Sequence, residues 1–229
     1  MGKSLLERKV MSWLARIIMP QRSALNIGLV DNNCWHKFVW KCFSDGKSEQ
    51  ERNKKRDFLT RLDIVGKNFR LYILAFDHPL RPVECKEEWW ACKKIATGFL
   101  EHDFYRFSLR ANPVRKTKFD ASGQHRDKSH KVAILDPAEQ RLWLERKAIQ
   151  GGFSLDERVP VVVSPTSTYN FRHLNKRTGR LDMVTNISAD FSGLLRVTDR
   201  ALFQQTFMRG IGSSRAFGFG MLILQPIEI

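Results

Sequence analysis

The sequence of 229 residues predicts an α+β fold with antiparallel sheets, arranged as two tandem units. Three observations carry that expectation. Short apolar or alternating runs, the mark of strands, are interleaved with stretches of helical spacing. A polar, basic stretch opening at Asn112-Pro113 divides the chain into residues 1–112 and 113–229. An apolar content of 42%, with 16 Phe and 6 Trp, supplies material for two cores, each in a unit of ~100 residues.

The elements of the first unit follow in order. Residues 13–19 are an apolar strand stopped by Pro20, and residues 21–30 read as an irregular loop. Asp31, Asn32 and Asn33 are N-cap types, after which Trp35, Phe38, Val39 and Cys42 recur at i, i+3, i+4 and i+7. That spacing predicts a helix with one buried face, ending near Ser44-Asp45-Gly46. A charged stretch, residues 47–57, crosses the surface. Residues 58–65 and 69–76 predict a hairpin about Gly66-Lys67-Asn68, residues 84–96 a second helix carrying Trp89 and Trp90, and residues 104–111 an alternating strand. The order βαββαβ is that of ferredoxin-like and RNA-recognition units.

The second unit has a comparable order. Asp136-Pro137-Ala138-Glu139 is a capping box with proline at N1, opening a helix that Gly151-Gly152 closes. Residues 159–173 and 181–197 read as long strands flanking a turn at residues 175–180. A last helix, capped by Thr198 or Asp199, carries Leu202, Phe203, Phe207 and Met208 into a glycine-rich segment, and residues 220–225 close the sheet.

Charge narrows the partner. Lys and Arg number 39 against 24 Asp and Glu, a formal net charge of +15, which points to a polyanion. The chain has no apolar run of the ~18 residues a membrane helix needs, and its basic residues are widely spread, so nucleic acid is favoured over a membrane. Residues 1–10 are too charged for a secretory signal, and a cytoplasmic location is expected. Cys34, Cys42, Cys85 and Cys92 contain no Cys-x-x-Cys, and no His pair stands at zinc-ligand spacing; they read as reduced fillers, with neither metal nor cofactor expected.

Residues 210–220 hold four glycines, Gly210, Gly212, Gly218 and Gly220, with Ser213, Ser214 and Arg215 between them. Such a segment either presents amides to a phosphate or is a tight helix-to-strand connection using glycine for caps and bulges. It lacks the Lys-Ser/Thr of a P-loop and follows a helix rather than opening one, which argues against an NTPase.

This segment resembles the CasE family, the CRISPR RNA-processing endoribonucleases of the type I-E Cascade complex. The strand Phe107-Ser108-Leu109-Arg110-Ala111-Asn112-Pro113 and the helix residues 139–147 share the resemblance, which extends from about Trp13 to Pro226. It implies two tandem ferredoxin-like folds, metal-independent cleavage of the CRISPR repeat hairpin, retention on the product crRNA, and partnership with other Cascade subunits. The family's general acid/base histidine aligns with His36. Its tyrosine three residues earlier is replaced here by Asn33.

The chemistry fits those residue types. Metal-independent RNA cleavage uses the substrate's own 2′-hydroxyl as nucleophile and needs a proton acceptor that works near neutrality, which is imidazole. One position off the buried stripe, His36 is expected at the border of core and surface. Without the resemblance it reads as an ordinary boundary histidine packing beside Trp40; the resemblance turns that reading toward catalysis. RNA contact is expected from Arg215, the Ser213 and Ser214 hydroxyls and the amides at Gly210 and Gly212. It is also expected from Arg110 and the basic string Arg115, Lys116, Lys118, Arg126, Lys128 and Lys131, and from the turn bearing Lys176, Arg177 and Arg180. A scaffold that holds the hairpin without cutting it is the alternative. Trp89 and Trp90 are either core or a subunit contact.

Overall fold

The computed structural model describes residues 12–43, 58–119, 122–174 and 179–228. Residues 1–10, the helix end at Ser44-Asp45-Gly46, the charged stretch 47–57 and the turn residues Lys176 and Arg177 lie outside them.

The first sheet is built from β1 (Trp13–Pro20), β2 (Phe58–Val65), β3 (Asn68–Ala75) and β4 (Trp90–Lys94), in the order β2-β3-β1-β4, all antiparallel. Helix α1 (Gln21–Asn26) follows β1, and α2 (Asn32–Lys41) lies between β1 and β2. The predicted stripe is the buried face of α2: Trp35, Phe38 and Val39 join Ala15, Ile17, Met19, Leu71 and Ile73 in one core. Leu59 and Leu74 of the same sheet pack instead into a second core, shared with the rest of the chain. Two layers of contact therefore hold this sheet, α2 on one side and the second unit on the other.

That second unit has β5 (Phe104–Ala111), a ribbon of β6 (Val114–Phe119) and β7 (His125–Ala133), α3 (Pro137–Gln150), β8 (Phe153–Leu155), β9 (Val162–Val163), β10 (Ser167–Leu174), β11 (Leu181–Val197), α4 (Arg200–Arg209) and β12 (Leu222–Ile227). Its sheet runs β10-β11-β5-β12, with β8 and β9 also paired to β11. Trp143 and Leu144 of α3 and Phe203 and Phe207 of α4 fill the core against Tyr105, Phe107, Leu109 and Phe191. The predicted caps are in place: Asp136 accepts from the Ala138 and Glu139 amides, Asp199 from that of Leu202. The first eight residues of β11 pair with β10 and the next eight with β5, so the β10–β11 arm continues past the end of β5.

The structure corrects several expectations. Residues 21–26, predicted irregular, form α1, because Pro20 ends the strand with φ −54°, a torsion suited to a helix entry where its missing N–H is no loss. Residues 84–96, predicted helical, hold a 3₁₀ turn (Glu87–Trp89) and then β4, because the open edge of β1 takes up those backbone groups in an antiparallel ladder from Trp13↔Lys94 to Ile17↔Trp90. Strand β5, predicted to close the first unit, is instead the interior strand of the second sheet, between β11 and β12; the second unit starts with it and not after Asn112.

Candidate functional site

Helix α2 delivers the site. Asp31 caps it by accepting from the Cys34 amide at 2.8 Å, and Asn32 donates through Nδ2 to the Phe217 carbonyl at 2.8 Å, tying the helix start to the glycine-rich segment. One turn on, His36 is half-buried, with the rings of Phe58 and Phe217 at 5.6 and 6.1 Å. Its Nε2 accepts from the indole Nε1–H of Trp40 at 3.0 Å. A cavity of about 370 Å³ opens here, lined by His36, Asn32, Thr60, Arg110, Tyr169 and Phe217 together with apolar side chains of α2, β2 and β3. The first unit supplies the imidazole, and the second supplies the opposite wall.

Arg110 is the guanidinium of that wall, and it is held from within the protein. Nε and Nη2 each donate to Asp190 at 2.9 Å, Nη1 donates to the Leu62 carbonyl at 2.6 Å, and Nη2 lies 3.3 Å from Asp63. Burial works against its charge, but the hydrogen bond to Asp190 and the fields of Asp190, Tyr169 and Asp63 outweigh it and hold its pKa above the ordinary value. Arg61 extends the network from β2, donating to Asp63 at 3.1 Å and to the Ser108 hydroxyl at 2.8 Å. Arg110 thus joins the two sheets.

The glycine-rich segment resolves toward the tight connection. The Gly210 amide bonds the Thr206 carbonyl, Ile211 that of Gly220, Gly218 that of Arg215, and Gly220 that of Arg110 at 2.7 Å. A Cβ on Gly210 would stand 2.9 Å from the Gly220 carbonyl and from Leu59, and one on Gly220 2.5 Å from the Ile211 carbonyl; both residues have positive φ. Ser214, at φ 61°, is the sole described non-glycine residue with positive φ. Its hydroxyl donates to Asn186 at 2.9 Å, and the Ser213 hydroxyl donates to the Asn112 carbonyl at 3.5 Å. Arg215 is exposed and donates to the Arg209 carbonyl at the C-terminus of α4. Chain closure occupies many of the groups that sequence reasoning assigns to phosphate.

Basic side chains gather elsewhere. Arg115, Lys116, Lys118, Arg126, Lys128 and Lys131 are all exposed and share the β6–β7 ribbon, where Lys116 stands directly opposite Lys131. Arg115 lies 3.5 Å from Glu139. Lys131 also lines, with Ser213 and Ser214, a smaller cavity of about 180 Å³. Arg180 is exposed at the base of β11, on the arm whose strand β10 packs against α2. Of the predicted site residues that are described, only His36 and Arg110 share the larger cavity. Sequence reasoning missed Asn32 as a tether and Tyr169 as a wall residue; no local signal marks either, since both roles depend on partners far along the chain.

A family model described as CRISPR associated protein matches residues 12–226. The CRISPR-associated endoribonuclease Cse3 of Thermus thermophilus is 35% identical over 126 residues, 53% of this chain and 55% of the relative. The chain belongs to the CasE/Cse3 family. Another relative, the CRISPR system Cascade subunit CasE of Escherichia coli (strain K12), is 26% identical over 126 residues, 53% of this chain and 57% of the relative. This chain therefore spans a little over half the length of the curated family members it matches. Among solved structures, that of CRISPR endoribonuclease Cse3 bound to 19 nt RNA superposes with a TM-score of 0.71 at 27% identity, covering 94% of this chain and 100% of that one. As in the family, two ferredoxin-like units stand in tandem, and no described helix is long and apolar enough to cross a membrane.

Proposed function

We propose that this chain is a metal-independent endoribonuclease that cuts CRISPR repeat hairpins in the precursor transcript and stays on the 3′ stem-loop of the crRNA as a Cascade subunit. The observation that carries the reading is the position of His36, at the mouth of α2 in a cavity walled by both units. A relative named as a CRISPR-associated endoribonuclease and a similar structure bound to RNA support it.

An indole N–H can only donate, so its bond to Nε2 requires a neutral imidazole carrying its own proton on Nδ1. Nε2 is then the basic atom. A substrate 2′-hydroxyl that displaces Trp40 from Nε2 transfers its proton there as the 2′-oxygen bonds to phosphorus. The bond from phosphorus to the 5′-oxygen breaks, the electron pair stays on that oxygen, and it takes a proton from solvent water, giving 5′-hydroxyl and cyclic phosphate ends. The exposed lysines and arginines of the β6–β7 ribbon and the Arg180 arm hold the stem phosphates.

A hairpin-holding subunit without chemistry is the second reading. The engagement of Nε2 by Trp40 favours it. Incubation with a cognate repeat hairpin in EDTA separates the two: cleavage lost by ~10²- to 10⁴-fold in His36→Ala, with binding kept, is the expected result. Tight binding by a wild type that does not cut selects the holder.

A further inference from the structure

We infer that Tyr169 is a second functional residue of the His36 cleft, its hydroxyl donating a hydrogen bond to the phosphate that is cleaved. The inference rests on the reading that this cleft cuts RNA.

A phosphate brought against His36 needs a donor from the opposite wall, because negative charge grows on its oxygens as the 2′-oxygen attacks. Arg110 is held by Asp190, Asp63 and the Leu62 carbonyl, and turning it toward the phosphate would take the guanidinium from Asp190. Asn32 is committed to the Phe217 carbonyl, and Asp31, an acceptor, to the helix cap. Thr60 is buried, 5% exposed.

Tyr169 is placed differently. It stands on β10, the strand that packs against α2, and lines the same cavity as His36 from the other unit. Its ring meets the fully buried ring of Phe219 edge-on, centroids 5.3 Å apart and planes at 83°, a contact that restrains the ring. That hydroxyl makes no hydrogen bond to another described residue, and Arg110 lines the same cavity. A phenol held by its ring, with its O–H uncommitted and a permanent cation beside it, is suited to an anionic oxygen.

The test compares wild type with Tyr169→Phe, which keeps the ring packed on Phe219 and removes only the hydroxyl. Single-turnover cleavage of a repeat hairpin is expected to slow about 10- to 100-fold, the worth of a hydrogen bond to a charged group, while the Kd for the hairpin stays within about twofold. A phosphorothioate at the scissile linkage adds a readout that a purely structural tyrosine would not move. Wild type should discriminate between the two diastereomers, and Tyr169→Phe should lose that discrimination. Cleavage by the variant at the wild-type rate overturns the inference alone, as does loss of rate matched by loss of binding. A wild type that binds without cutting removes the nuclease reading and this inference with it.

Discussion

Trp40 and His36, one turn apart on α2, are joined by an indole N–H donating to imidazole Nε2 at 3.0 Å. The i,i+4 spacing puts the two rings on one helix face, and Phe58 packs against both, at 5.3 and 5.6 Å. The bond holds the imidazole in a single tautomer and orientation, with its basic atom at a place that a hydroxyl can take over.

The bond predicts a spectroscopic signature. Among the six tryptophan indoles, the N–H cross-peak of Trp40 should shift on acidification, when a protonated imidazole can no longer accept. It should shift in the same sense in His36→Ala. An indole cross-peak of Trp40 indifferent to both would show that the pair does not form in solution.

Gly220 and Gly28 both have positive φ, yet they predict different costs. At Gly220 an added Cβ would meet the Ile211 carbonyl at 2.5 Å, whereas at Gly28 it meets nothing within 4 Å. Gly28→Ala is expected to lose about 1 kcal/mol from the torsion alone. Gly220→Ala should lose about 2–4 kcal/mol, because the backbone that carries the Arg110 and Ile211 hydrogen bonds must also move. Urea midpoints give the comparison, and equal losses would contradict the close-approach role.

Much of this architecture is local enough to read from the chain. Helix α2 announces itself through its Asp31 cap and its stripe, α3 through Asp136-Pro137, and α4 through Asp199. What fails is knowledge of partners. The alternation of β5 says that it is a strand but not that β11 and β12 flank it, and the helical spacing around Trp89 cannot show that β1 needs a ladder there. The site divides in the same way. His36 is found through family resemblance, whereas the commitment of Arg110 to Asp190, 80 residues away, and the approach of Tyr169 across the cleft are long-range facts. Positive φ at the glycines is written locally, but the carbonyls and side chains that crowd them are not.

Arg110→Met should destabilise the protein by about 2–3 kcal/mol. Removing one partner of a buried ion pair costs about 3–5 kcal/mol, and the 38% exposure of the Asp190 side chain lets water compensate in part. Asp190→Asn keeps an acceptor for the guanidinium and should lose less. A loss below about 0.5 kcal/mol for Arg110→Met would mean that the inter-sheet network contributes little.

The cysteines give a pH prediction. Burial pushes the Cys42 thiol from 9.0 up to about 12 and that of Cys85 up to about 11, with neighbouring thiols also raising Cys42. A raised folded-state pKa stabilises fully below the unfolded value and is lost as pH climbs toward the folded one. Stability should therefore fall above pH ~9, by about 1.4 kcal/mol per pH unit from Cys42. Cys42→Ala should flatten that slope. At pH 8 iodoacetamide should label the half-buried Cys34 and Cys92 well before Cys42 and Cys85, both 0% exposed; equal labelling rates in the native protein would refute the burial argument.

The β6–β7 ribbon sets stability against binding. Lys116 and Lys131 are exposed and directly opposite in register, so their side chains share one face and repel. No described acidic residue is paired with either lysine, whereas a phosphate backbone would favour the arrangement. Replacing both with Thr should raise stability by about 0.2–1 kcal/mol. In the same variant, affinity for a repeat hairpin should fall and the slope of log K against log salt should become shallower by about 0.7–0.9 per lysine. Opposite signs in the two measurements identify the ribbon as a nucleic-acid contact surface. A salt slope unchanged within about 0.3 would move the contact to other basic residues, and the repulsion between these two lysines would then have no counterpart in binding.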